Sequence, residues 1–160
     1  MEITEKNIKN VGENYSNKNL IVYTEANFSK EELLTQMVHH IKENSDAIGE
    51  ENDFLKNILE REKIGTTAVG TGIAIPHARF SGAKKIVISI FLLAKPLDFQ
   101  APDGEPVKLV IMVGAPQEHG KEYLTLVSTI VRAFRNKEYR ESVFSAKSSE
   151  ELLRKLEEFK

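Results

Sequence analysis

The chain has 160 residues, enough for one domain with a substantial core, and its 41% hydrophobic and 29% charged residues are the proportions of a globular protein. A formal net charge of −2 gives no support to bulk nucleic-acid or polyanion binding. The lack of any cysteine excludes disulfides, thiol catalysis and cysteine-ligated metals.

In chain order, residues 1–19 are polar and rich in Asn, Lys and Glu, and are expected to form a leader ahead of a single domain over 20–160. The leader lacks the cationic start and apolar core of a secretion signal, and the apolar run Ile86–Ala94 is too short to span a bilayer. A cytoplasmic location without membrane insertion is therefore expected. "LIVYT", Leu20 to Thr24, has the β-branched and aromatic content of a first strand. Ser29 and Glu32 form a capping-box pattern that opens a helix to about Glu43, with Leu33, Leu34, Met37, Val38 and Ile41 on its apolar face. A second helix is expected from about Glu50 to Glu62, with Phe54, Leu55, Ile58 and Leu59 turned inward.

"GTGIAIPHARF", Gly70 to Phe80, follows. Proline fixes φ, removes a donor and pushes Ile75 toward extended geometry, so "GIAI" reads as a buried strand with His77 where it leaves the sheet. "KKIVISIFLLAKPL" and "EPVKLVIMVGAP" are near-continuous apolar runs, each a strand covered on both faces. The Pro-Asp-Gly turn of "DFQAPDGEP" between them suggests a long hairpin. From Glu118 the pattern is helical, with Tyr123, Leu124, Leu126, Val127, Ile130, Val131 and Phe134 in one stripe. A short helix through Val143 and Phe144 comes next, and Ser148 with Glu151 opens a last one. The expected fold is α/β: a three-layer α/β/α sandwich with a mixed sheet between helices.

"LEREKIGTTAVGTGIAIPHAR" (Leu59 to Arg79), "FQAPDGEPVKLVIMVGAP" (Phe99 to Pro116) and "KSSEELLRKL" near the end resemble one known family. It is the fructose/mannitol-type enzyme IIA domains of the bacterial phosphoenolpyruvate-dependent sugar phosphotransferase system. The resemblance covers about residues 20–160. It implies that His77 accepts a phosphoryl group from the histidine phosphocarrier protein and passes it to a IIB component, usually onto cysteine. A membrane IIC permease would be linked only indirectly. A nitrogen-type regulatory paralogue shares the motif, and there the phosphorylation state of His77 would control protein binding without sugar transport.

The residues suit the implied role. A neutral imidazole nitrogen is a nucleophile near pH 7, and its phosphorylated form remains a phosphoryl donor. Arg61 matches the family's active-site arginine, and a guanidinium bonds two phosphate oxygens in fixed geometry. Thr66, Thr67 and the amides around Gly65 to Gly72 are candidate hydrogen-bond donors to a bound phosphate. Many relatives carry a second active-site histidine; its place falls on Tyr123, or with a shorter loop on His119. The resemblance implies no metal and no cofactor. His39 and His40 point about 100° apart on a helix, which does not suit joint grip on one ion.

Overall fold

The computed structural model describes residues 15–158. Most of the expected leader lies outside them, but its last residues are engaged: Tyr15 donates to Glu122 Oε1 at 2.5 Å, and the Asn17 side chain accepts from the Asn19 amide at 2.8 Å.

The described residues form six strands and five α-helices. The strands are β1 (Ile21–Thr24), β2 (Ala68–Gly70), β3 (Ile73–Ala74), β4 (His77–Arg79), β5 (Val87–Leu97) and β6 (Val107–Ala115). The helices are α1 (Lys30–Asn44), α2 (Glu51–Ile64), α3 (Gly120–Ala133), α4 (Lys137–Phe144) and α5 (Ser149–Glu157). Strand order is β1-β5-β6-β3-β2, with β4 also paired to β6. The expected hairpin is present, β5 running antiparallel to β6 with Ile90 opposite Ile111. β1 joins β5 in parallel, and β3 and β4 join β6 in parallel, which makes the sheet mixed.

Alternate side chains of a strand face opposite sides, so a strand apolar at nearly every position must be covered on both faces. β6 meets this demand. Leu109, Ile111 and Val113 pack with Leu126, Ile130, Val143 and Leu152 of α3, α4 and α5. Val110 and Met112 pack with Leu33, Met37, Ile41, Phe54 and Ile58 of α1 and α2. The result is the α/β/α sandwich.

The caps explain where helices begin. Ser29 accepts from the Glu32 amide at 3.2 Å while Glu32 accepts from the Ser29 amide at 2.9 Å, the reciprocal pair read from the sequence. At α5 the Ser148 hydroxyl accepts from the Glu151 amide at 3.0 Å.

Three details differ from expectation. "GIAI" is not one strand ending at His77. Pro76 has no N–H to give the ladder, and the Ile75 amide turns to Thr67 O at 3.0 Å. The edge beside β6 is thus split into β3 and β4, and His77 opens β4. Leu124 is not in the apolar stripe of α3; it is 63% exposed. α2 runs to Ile64, whose side chain is 84% exposed.

Candidate functional site

Parallel pairing of β4 with β6 sets His77 opposite Val113 and Arg79 opposite Ala115. With Ala78 turned into the core, the strand alternation gives His77 and Arg79 the other face together. His77 is half-buried, and its Nδ1 lies 2.6 Å from Ile75 O. A carbonyl only accepts, so Nδ1 carries the proton and Nε2 keeps a lone pair. Burial pulls the His77 pKa below its ordinary value, and the Arg61 charge adds to this. The Ile75 carbonyl and the Glu62 charge oppose the shift without cancelling it. The ring is therefore neutral near pH 7, with the lone pair on Nε2.

The rings of His77 and Tyr123 are 5.9 Å apart and tilted by 51°. Tyr123 is buried in the first turn of α3, and burial pushes its phenol up to about 12 despite the nearby Arg79 and Arg61 charges. It stays a neutral phenol. His119, the other candidate for this position, is exposed at the N-cap of α3. The structure brings Tyr123, not His119, against the His77 ring.

Arg61, in the last turn of α2, donates from Nη1 to Gly65 O at 2.8 Å. That bond folds the guanidinium over the loop leading into β2, and its charge reaches both His77 and Tyr123. Thr66 donates its hydroxyl to Phe99 O at 2.5 Å, and buried Thr67 donates its own to Glu62 Oε1. Both hydroxyl protons are thus engaged within the protein.

Arg79 was not singled out from the sequence. Its guanidinium lies 5.7 Å from the centre of the Tyr123 ring and donates to Gln117 O at 3.1 Å. A Cβ at Gly120 would overlap that guanidinium where it now lies, so the Arg79 side chain would have to shift. Strand alternation two residues after His77 was the available signal.

His39 and His40 serve other ends. His39 Nδ1 lies 3.0 Å from Glu51 Oε2, and His40 Nε2 lies 2.5 Å from Asn19 O. Among the described residues no group of three or more His, Cys, Asp or Glu is arranged to hold a metal ion, and no helix is long and apolar enough to cross a membrane.

Known proteins resemble this chain in sequence and in fold. A nitrogen regulatory protein of Bradyrhizobium diazoefficiens is 42% identical over 81 residues, covering 51% of this chain and 53% of the relative. The fructose-specific EIIA component of Haloferax volcanii is 35% identical over 96 residues, covering 60% of this chain and 62% of the relative. The chain thus matches about half to two thirds of the length of these two relatives. The crystal structure of nitrogen regulatory protein IIA-Ntr from Neisseria meningitidis superposes with a TM-score of 0.78 at 30% identity, covering 91% of this chain and 98% of that one. The family described as "Phosphoenolpyruvate-dependent sugar phosphotransferase system, EIIA 2" matches residues 14–159. The chain belongs to this EIIA 2 family of phosphotransferase components.

Proposed function

We propose that His77 is a phosphoryl relay residue, charged by a phosphohistidine of the phosphocarrier protein and discharged to a second protein. The observation that carries this reading is the 2.6 Å bond from His77 Nδ1 to Ile75 O, which leaves Nε2 unprotonated. The Nε2 lone pair attacks phosphorus and a new N–P bond forms. The donor's own P–N bond breaks, and its electron pair returns to the donor imidazole. The proton stays on Nδ1, donated to the Ile75 carbonyl throughout, so the phosphorylated ring keeps a hydrogen bond on its cationic side. Arg61 meets the equatorial oxygens as charge spreads over them. The neutral Tyr123 phenol offers one further donor.

Exposed Ile64 and Leu124 lie close in sequence to Arg61 and Tyr123, and they suit a visiting protein surface better than a small solute. Two settings share this chemistry. The regulatory one, in which the phosphorylation state of His77 governs protein binding, draws on the 42% identical relative and on the near full-length likeness to IIA-Ntr. Delivery to a sugar-type IIB cysteine draws on the 35% identical fructose EIIA component.

Incubation with phosphoenolpyruvate, enzyme I and the phosphocarrier protein should label wild type and leave His77→Ala unlabelled. Label retained by His77→Ala refutes the relay. Adding a fructose-type IIB then separates the settings: onward transfer selects sugar delivery, and retention of the label selects regulation.

A further inference from the structure

Glu62 has a side chain only 6% exposed, yet it is not idle. One carboxylate oxygen takes a 2.7 Å ion pair from Lys30 of α1 and a 3.2 Å hydrogen bond from the Thr67 amide. The other accepts from the Thr67 hydroxyl. Thr67 is itself buried, at 5% exposure. From there the bonds continue toward the site: the Thr67 carbonyl accepts from the Ile75 amide at 3.0 Å, and the Ile75 carbonyl accepts from His77 Nδ1. Consecutive hydrogen bonds therefore join the α1–α2 layer to one nitrogen of the His77 ring.

We infer that Glu62, acting through Thr67 and Ile75, is a positioning residue that holds the His77 imidazole as its Nδ1–H tautomer. The inference rests on the reading of His77 as phosphoryl acceptor, but its first readout does not. The Ile75 amide gives its hydrogen bond to the Thr67 carbonyl, so the position of the Ile75 peptide depends on Thr67. Thr67 in turn has the Glu62 carboxylate on both its amide and its hydroxyl. Buried carboxylates with three partners orient what they hold, because leaving any partner unmade costs its full desolvation. The charged or titratable groups that act on His77 are Arg61 and Glu62 from α2, while Arg79 from β4 and Tyr123 from α3 stand beside it.

The test uses Thr67→Val, which keeps the shape and loses the hydroxyl, Thr67→Ser, which restores it, and Glu62→Gln. A two-bond proton–nitrogen correlation spectrum reads which His77 nitrogen is protonated. Phosphoramidate serves as a small phosphoryl donor, its P–N bond breaking as ammonia leaves and the N–P bond to Nε2 forms. Thr67→Val and Glu62→Gln should raise the share of the Nε2–H tautomer and slow labelling by about tenfold, the value of one charged hydrogen bond. Thr67→Ser should restore both. Folded Thr67→Val and Glu62→Gln proteins with the wild-type tautomer overturn the inference, whether or not labelling slows. If Glu62→Gln fails to fold, the Thr67 pair decides. A tautomer shift in the variants, together with wild-type protein that the phosphocarrier cannot label, would sink the relay reading and leave this one standing.

Discussion

Tyr123 presents its ring to His77 at 5.9 Å while Arg79 covers the same phenol at 5.7 Å. Among the described residues the Tyr123 hydroxyl has no hydrogen-bond partner, so it is available to an incoming group. Tyr123→Phe should keep the melting temperature within about 2 °C, since no internal bond is lost. Single-turnover phosphoryl transfer should slow by roughly tenfold, one donor's share of transition-state stabilisation. Transfer at the wild-type rate in that variant would remove the phenol from the chemistry.

The pH dependence follows from the depressed His77 pKa. The neutral ring attacks, so phosphoryl acceptance should stay flat as pH falls through 6.5, the ordinary imidazole value, and decline only below it. Stability moves with the same group. The unfolded chain takes up the proton first, so the contribution of His77 to stability is complete above the unfolded pKa. It is lost as pH falls from there toward the folded one. A titration of the His77 ring by NMR checks both; an inflection at or above 6.5 contradicts the account.

Arg61 donates to Gly65 O with one guanidinium nitrogen and has others to offer. Arg61→Lys keeps the charge but loses the planar fork, and acceptance should fall by roughly tenfold while circular dichroism stays unchanged. Arg61→Ala should fall further. A wild-type rate in Arg61→Lys would mean that charge alone, without geometry, is what the site uses.

Away from the site, Gly114 on β6 faces Phe54 of α2. A Cβ at Gly114 would sit 2.8 Å from Phe54 Cζ and 3.4 Å from Val87 Cγ1. Phe54 has no freedom to retreat, being fully buried and stacked at 4.8 Å on Phe80. Gly114→Ala should cost about 1–3 kcal/mol by overpacking, read as a lower urea midpoint with unchanged m. A midpoint equal to wild type would show that α2 can shift outward freely.

Much of this architecture was legible because each long apolar run had one reading. The unbroken β5 and β6 demanded cover on both sides, and the Ser29–Glu32 and Ser148–Glu151 spacings marked the helix starts. The split at Pro76 was harder to read, since a missing amide tells where a ladder breaks but not that the strand resumes beyond it. Leu124 followed the helical period yet faces solvent, because periodicity does not distinguish a core stripe from one kept open. In the site, His77 and Arg61 stood out through the motif. Arg79 did not, although it lies on the same face of the same strand. Glu62 read as one more helix charge, and only tertiary packing shows Thr67 and Lys30 gathered on it.

An imidazole tethered to the backbone two residues before it has no lever with which to rearrange the domain. Phosphorylation would put a phosphoryl dianion, offset in part by the cationic ring, onto an otherwise unmoving face. Proteins that tell the two states apart would then do so with well-placed cations rather than by sensing a new shape. Their discrimination should fade as ionic strength rises.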